Sequence, residues 1–307
     1  MATSAFPIHP TYTGLAIAYK NKRYIADEVL PRVRVGTEEF TYYKWDLTGF
    51  KIPDLTVGRT SMVTRDNIQA TETSSKTADY ALEIPVPQKD VDQQPDGLDI
   101  LGAAAERIAA KLATAREKRV ADIVFNAANY KATTNKATLS STSQWSHADS
   151  DPIKAILEAM DGMIVRPNIM VVNRNVYTAL MRHPKLVAAS HGNSGSYGIT
   201  SKNFLADLFE LEDIYVGEAF IDSAKKGQTA SLARCWGKHA ALLYRERGST
   251  VDQMTFGFTA QFNDRVAWQW EDKNIGMYGG QIIRVGESVK ELMTADDLGY
   301  LFTDAAA

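Results

Sequence analysis

Cysteine is nearly missing from this chain of 307 residues, and the one thiol, Cys235, can neither close an internal disulfide nor build a cysteine-based zinc site. A reducing compartment is the natural setting. Long apolar runs are missing too, since no window approaches the roughly 20 apolar residues that span a bilayer. Met1 to Tyr12 also lacks the basic stretch and apolar core that direct export. Charge of one sign is in short supply: 34 Lys and Arg against 37 Asp and Glu leave a formal charge of −3. That balance gives no electrostatic ground for sequence-specific nucleic-acid binding or for a basic partner.

Motifs of chemistry are absent in turn. The five histidines, His9, His147, His183, His191 and His239, never stand four apart, so no helical metal pair exists. Asp90, Asp92, Asp96 and Asp99 have the look of a calcium loop. However, the fifth position is Gln94, the sixth is Pro95 where a glycine must turn the chain, and no glutamate closes the loop. Gly192, Gly195 and Gly198 form neither a dinucleotide fingerprint nor a phosphate loop. There is no Gly-x-Ser-x-Gly elbow, and Cys235, between Arg234 and Trp236 in an expected strand, reads as a packed, inert thiol. Pairs such as Asp296-Asp297 are cheap among 37 acids. The reading is of a protein that is not an enzyme, with no cofactor and no metal.

What is there is an ordinary globular composition, 45% apolar and 23% charged, in an uncommon order of parts. Residues 1 to about 35 carry Pro7, Pro10 and Pro31. They also carry five basic residues from Lys20 to Arg34 against Asp27 and Glu28, which suggests an extended basic arm. From Thr37 to Pro87 the pattern is strand-like. Ala78, Tyr80, Leu82, Ile84 and Val86 alternate with polar neighbours, and Phe40 to Leu47 is expected as their hairpin partner. The stretch between, Gly58 to Lys76, has little to bury and reads as a projecting tip. Next comes the strongest helix, with Leu98, Leu101, Ala105, Ile108, Leu112, Val120 and Val124 as its stripe and no proline from 98 to 129. At about 1.5 Å per residue it should extend for roughly 46 Å.

Beyond a Thr/Ser/Asn-rich connection, Asp151 or Ser150 should cap a helix with Pro152 in its first turn. A buried strand at Ile169 to Val172, a helix from Asn175 to His183 and another near Ser201 to Leu211 follow. Strands are expected at Ile214 to Val216, Leu232 to Trp236 and Ala240 to Tyr244. A final hairpin should turn at Asn263-Asp264, with Phe256 to Phe262 on one arm and Val266 to Trp270 on the other. Helices and strands in separate runs make the class α+β.

This order resembles the major capsid protein of tailed bacteriophages, the Hong Kong 97-type fold. Asn168-Ile-Met-Val-Val-Asn173 with Val176-Tyr-Thr-Ala-Leu180 and His183-Pro184 is similar to a segment of many phage capsid subunits. So are Phe256-Gly-Phe-Thr-Ala-Gln261, Trp270-Glu-Asp272, Gly279-Gly280 and Arg284-Val-Gly-Glu-Ser-Val-Lys-Glu291. The resemblance implies an N-arm (1–36), an extended β-hairpin or E-loop (37–97) and a peripheral domain with its spine helix (98–150, spine 98–129). It further implies a mainly axial domain (151–265) and a return to the periphery (266–307).

The function implied is a coat subunit that self-assembles into hexamers and pentamers of an icosahedral virion around double-stranded DNA, formed in the bacterial cytoplasm. A separate scaffold protein or none, a portal and decoration proteins are the implied partners. Contact with DNA would be diffuse, and no membrane is involved. An encapsulin-like nanocompartment shell enclosing cargo enzymes is the alternative. The residues expected at contacts between subunits are Arg23, Arg32 and Arg34 in the arm and Tyr42, Trp45, Arg59 and Arg65 in the hairpin.

Overall fold

The computed structural model describes residues 8–18, 24–45, 52, 55–63, 70–95, 98–130, 134–191, 198–225, 227–246, 248, 250–251 and 254–307. Helices α1 (Pro10–Ala18) and α2 (Ala26–Val29) lead into strand β1 (Arg32–Val35). Then come β2 (Glu39–Trp45), β3 (Ala70–Lys76), β4 (Ala78–Pro87) and the short helix α3 (Gln88–Asp92). The spine follows as α4 (Ile100–Val124), whose N-cap Asp99 accepts a hydrogen bond from the Gly102 amide at 2.9 Å. Its 25 residues are about 37 Å long, shorter than expected. The helix stops because Asn126 turns its side chain onto the Ala128 amide, while Tyr130 and Asn129 donate to the last carbonyls, those of Val124 and Ile123.

The rest of the chain runs β5 (Lys136–Thr138), α5 (Pro152–Asp161), β6 (Ile169–Asn173), α6 (Arg174–Arg182), α7 (Pro184–His191) and α8 (Lys202–Leu208). Asp151 caps α5 with Pro152 in its first turn, as the sequence suggests. Strands β7 (Asp213–Gly217), β8 (Phe220–Asp222), β9 (Leu232–Arg234) and β10 (Ala240–Leu243) follow. Last come β11 (Gly257–Asp272), β12 (Gly280–Met293) and β13 (Gly299–Thr303).

Two principal sheets organise these elements, in the orders β1-β11-β12-β4 and β5-β13-β10-β6-β7. The first carries the spine. Ala105, Ile108 and Leu112 pack on Ile283, Val285 and Val86, together with Tyr12 and Ala16 of α1. The second has β6 and β10 buried at every position, between helices on one side and the spine's C-terminal half on the other. The α+β class holds.

Several local expectations are corrected. Segment 78–87 does not pair with 40–47. It lies along β12, its apolar alternation turned to the spine, and the polar 70–76 becomes the partner of β2. Asn263-Asp264 is not a turn: β11 runs through it as a bulge, with Asn263 at φ 59°, and the chain reverses at 273–279. Division at 150 and 265 does not follow the sheets, because β5 and β13 belong to the five-stranded sheet and β11 already begins at Gly257.

The largest correction concerns the N-terminal segment. Residues 24–35 do not form an extended arm, because Ile25, Ala26, Val29, Leu30 and Val33 are buried in the subunit's own core. Polar groups fix their position. Glu117 of the spine, 0% exposed, accepts from the amides of Ile25 (3.0 Å) and Ala26 (2.9 Å) and from the Trp236 indole (2.8 Å). It thereby supplies acceptors for the unpaired amides at the start of α2. Its neighbour Arg116, also buried, reaches Asp27, the Leu30 carbonyl (3.2 Å) and Thr259 (3.0 Å). Arg32 links Asp27 (2.8 Å) to Glu287 (3.0 Å). The β11 bulge brings Arg265 onto Glu287 (2.8 Å) and onto the last turn of α1 through the Ala16 carbonyl (3.0 Å). Arg245 holds the Glu28 carbonyl from the side of the second sheet. Of the five basic residues, Arg32 therefore acts as an internal fastener, while Lys20, Lys22 and Arg23 lie outside the described residues.

This junction makes stability depend on acid. Burial raises the Glu287 carboxyl, but Arg32 and Arg265 outweigh it and hold the group below the usual carboxylate range. A depressed folded pKa contributes stability that is present above the unfolded value, about 4.3, and is lost as pH falls through the folded one. Denaturant titrations from pH 7 downward should show this loss, and Glu287→Gln should flatten it while costing about 3–5 kcal/mol at pH 7. An unchanged acid limb in the variant would contradict the assignment. Cys235 is buried, and its thiol is pushed up to about 11 by burial and then by Glu117 nearby. A thiol reagent at pH 8 should therefore label it only after denaturation.

Candidate assembly surface

The hairpin of β2 and β3 is registered from Glu39↔Lys76 to Trp45↔Ala70 and stands at the edge of the four-stranded sheet. Its base is anchored. Tyr42 is buried and meets Phe258 edge-on at 6.3 Å, and Val33, Phe40, Val35 and Val251 complete the cluster. Two strands alone cannot bury a face from both sides, so the β11 contact is what holds the hairpin's direction. Beside it lies an open groove of about 440 Å³ between the end of β1, the two hairpin strands and Val251.

Beyond β2 the chain turns apolar without any cover of its own. Met62 is 83% exposed and Leu55 72%, and Ile52, Val57 and Val63 are exposed as well. The sequence reading took the tip as a polar stretch with little to bury. It missed this group because three of the five residues precede Gly58 and none repeats with a strand or helix period. The signal was the density of large aliphatic side chains in a segment outside any regular pattern. Magnitudes favour these residues as the dominant contact. Fully burying one such side chain contributes about 1.5–3 kcal/mol, against about 0–1 kcal/mol for an exposed ion pair.

The residues singled out from the sequence fall into three groups. Arg32 and Tyr42 are brought together with the internal junction and the hairpin base. Arg34, its side chain 77% exposed, binds Asp264 with both carboxylate oxygens at 2.8 and 2.9 Å, so the β11 bulge fixes its position at the rim of the groove. Arg59 is exposed on the loop amid the aliphatic residues. Arg23, Arg65 and the Trp45 side chain lie outside the described residues.

The sites considered for chemistry show no working arrangement. His183 and Ser150 lie 3.0 Å apart, Nε2 to Oγ, and both are buried. The His183 Nδ1 accepts from the Lys185 amide at 3.3 Å, which places the ring proton on Nε2 and prevents that nitrogen from acting as a base toward the hydroxyl. Among the described residues no group of three or more His, Cys, Asp or Glu is placed to hold a metal ion. No helix among them is long and apolar enough to cross a membrane.

Comparison with known proteins agrees with the geometry. The model of a phage capsid protein family matches residues 70–270, more than half of the chain. The major capsid protein of Pseudomonas phage JBD67 is 49% identical over 309 aligned residues and covers 100% of both chains. Among solved structures, a phage-related protein from Bordetella bronchiseptica RB50 superposes with a TM-score of 0.77 at 24% identity, over 98% of this chain and 99% of that one. The capsid of cyanophage P-SCSP1u gives a TM-score of 0.59 at 12% identity, over 99% and 92%. The full-length viral relative sets the nanocompartment alternative aside. With a spine helix and two sheets in this order, this chain belongs to the phage capsid protein family, as a major capsid protein of the Hong Kong 97-type fold and a structural subunit.

Proposed function

We propose that copies of this subunit assemble as hexamers and pentamers into an icosahedral head that encloses double-stranded DNA, formed in the bacterial cytoplasm. In this reading the four-stranded sheet and spine form the peripheral domain, and the five-stranded sheet forms the axial domain. A separate scaffold protein and a portal take part in closure, decoration proteins add to the finished shell, and DNA is held by diffuse backbone electrostatics.

The single observation that carries the reading is the loop. A subunit that buries Ile25, Ala26, Val29, Leu30 and Val33 of its N-terminal segment still leaves Ile52, Leu55, Val57, Met62 and Val63 in solvent. Grouped large aliphatic residues on an anchored projection mark an interaction site, and self-association is what a coat subunit must do. Arg34 and Arg59 border the contact, with Arg23, Trp45 and Arg65 assigned to the same surface. Arg32 and Tyr42 support it from within the subunit by holding β1 and the hairpin base.

Substituting Leu55→Asp together with Val63→Asp tests this. Both positions are exposed, so thermal stability of the free subunit should change by no more than about 0.5 kcal/mol. Electron microscopy should find no closed particles where the unsubstituted protein forms them. Normal particles from the double variant would overturn the role given to the loop.

A further inference from the structure

Nine methionines occur in the chain, and they differ sharply in their access to solvent. Met160, Met163 and Met170 are buried in the core of the five-stranded sheet, and Met181, Met254 and Met293 pack partly against the two main cores. Only Met62 and Met277, among the described residues, carry thioethers open to solvent, at 83% and 85% exposure. Their surroundings are not alike. Met277 lies in the 273–279 turn beside Tyr278, whose ring is covered by Lys89 at 4.8 Å. Met62 lies beside Val63 in the loop that also exposes Ile52, Leu55 and Val57.

We propose that Met62 is an oxidation-sensitive assembly contact: peroxide converts its thioether to the sulfoxide while the subunit is free, and the oxidised subunit no longer closes shells. The inference rests on the reading that the loop is covered by a second copy. In the step, a sulfur lone pair attacks one peroxide oxygen, an S–O bond forms and the O–O bond breaks. The departing hydroxide takes up the proton of the newly bound S–OH group, which leaves the neutral sulfoxide, and departs as water. Sulfur is oxidised by two electrons and hydrogen peroxide is reduced by two.

The physical consequence is a change of sign at one position. A thioether is flexible and apolar, and it adapts to an irregular apolar surface. A sulfoxide carries a strong acceptor that has to be desolvated before the same contact can form. Because every copy in a shell makes this contact, a modest penalty per subunit is repeated throughout closure. Once closure has occurred, the sulfur is covered and peroxide no longer reaches it.

Peptide mass spectrometry after a timed hydrogen peroxide pulse tests both halves. Met62 should oxidise at least tenfold more slowly in particles than in free subunits. Free protein carrying Met277→Leu should lose particle formation after the pulse, whereas protein carrying Met62→Leu should keep it. Methionine sulfoxide reductases acting on the oxidised subunits should restore assembly. Equal oxidation rates in the two states, or a Met62→Leu protein as sensitive as the unsubstituted one, would overturn the inference while leaving the capsid reading intact. Untreated protein that forms no particles with its scaffold present would instead remove the reading on which it rests.

Discussion

The Glu117 carboxylate has no contact with water and no room for error in its partners. It lies on the spine and accepts two amides from the start of α2 and the Trp236 indole, so one side chain ties together the spine, the N-terminal segment and the connection between β9 and β10. An isolated charge at such a place is expensive, and removing one partner of a buried set costs several kcal/mol. The neighbouring Arg116, Arg32 and Arg265, with Asp27 and Glu287, extend the same balance to β1, β11 and α1. The apolar core that forms around them, from Ile25 and Leu30 to Trp236, Phe256 and Leu298, is shared by both sheets. Residues 24–35 therefore act as a rivet: the sheets meet through them.

That placement divides the chain into a finished part and an unfinished one. The rivet, the spine and the two sheets share internal charge pairs and buried apolar clusters. The hairpin is rigid at its base, where Tyr42 meets Phe258, and apolar and uncovered beyond it. A rigid base with an uncovered end suits docking on a neighbour, since little order has to be created at the hairpin when the contact forms. The bulge in β11 serves both parts. Its Arg265 closes the internal charge set on Glu287, and its Asp264 fixes Arg34 at the rim of the groove beside the hairpin.

Much of this was legible in the sequence where period or cap chemistry is strong. The spine stripe from Leu101 onward, the helix start at Pro152, the fully apolar run at Ile169 to Val172 and the packed setting of Cys235 read correctly, whereas Leu98 lies before the helix and is exposed. What could not be read depended on distant partners. Basic residues near the N-terminus looked like a free arm because Asp27, Glu287 and Glu117 are separated from one another by up to 260 positions of sequence, and only folding brings them together. The alternation at 78–86 announced a strand but not its partner. Register depends on which face finds the spine, and Ile283 and Val285 of β12 share that face. Asn263-Asp264 has turn composition, yet a bulge uses the same left-handed backbone without reversing the chain. The exposed aliphatic loop has no period at all, so composition was its one signal.

The central claim is that residues 24–35 complete the subunit's core and the loop awaits a neighbour. Hydrogen–deuterium exchange on free subunits and on assembled particles tests it most directly. The amides of Ile25, Ala26 and Leu30 should be strongly protected in both states, and those of 55–63 should exchange within seconds in the free subunit and become protected in the particle. Rapid exchange at Ile25 and Ala26 in the free subunit, or a loop already protected there, would contradict the account.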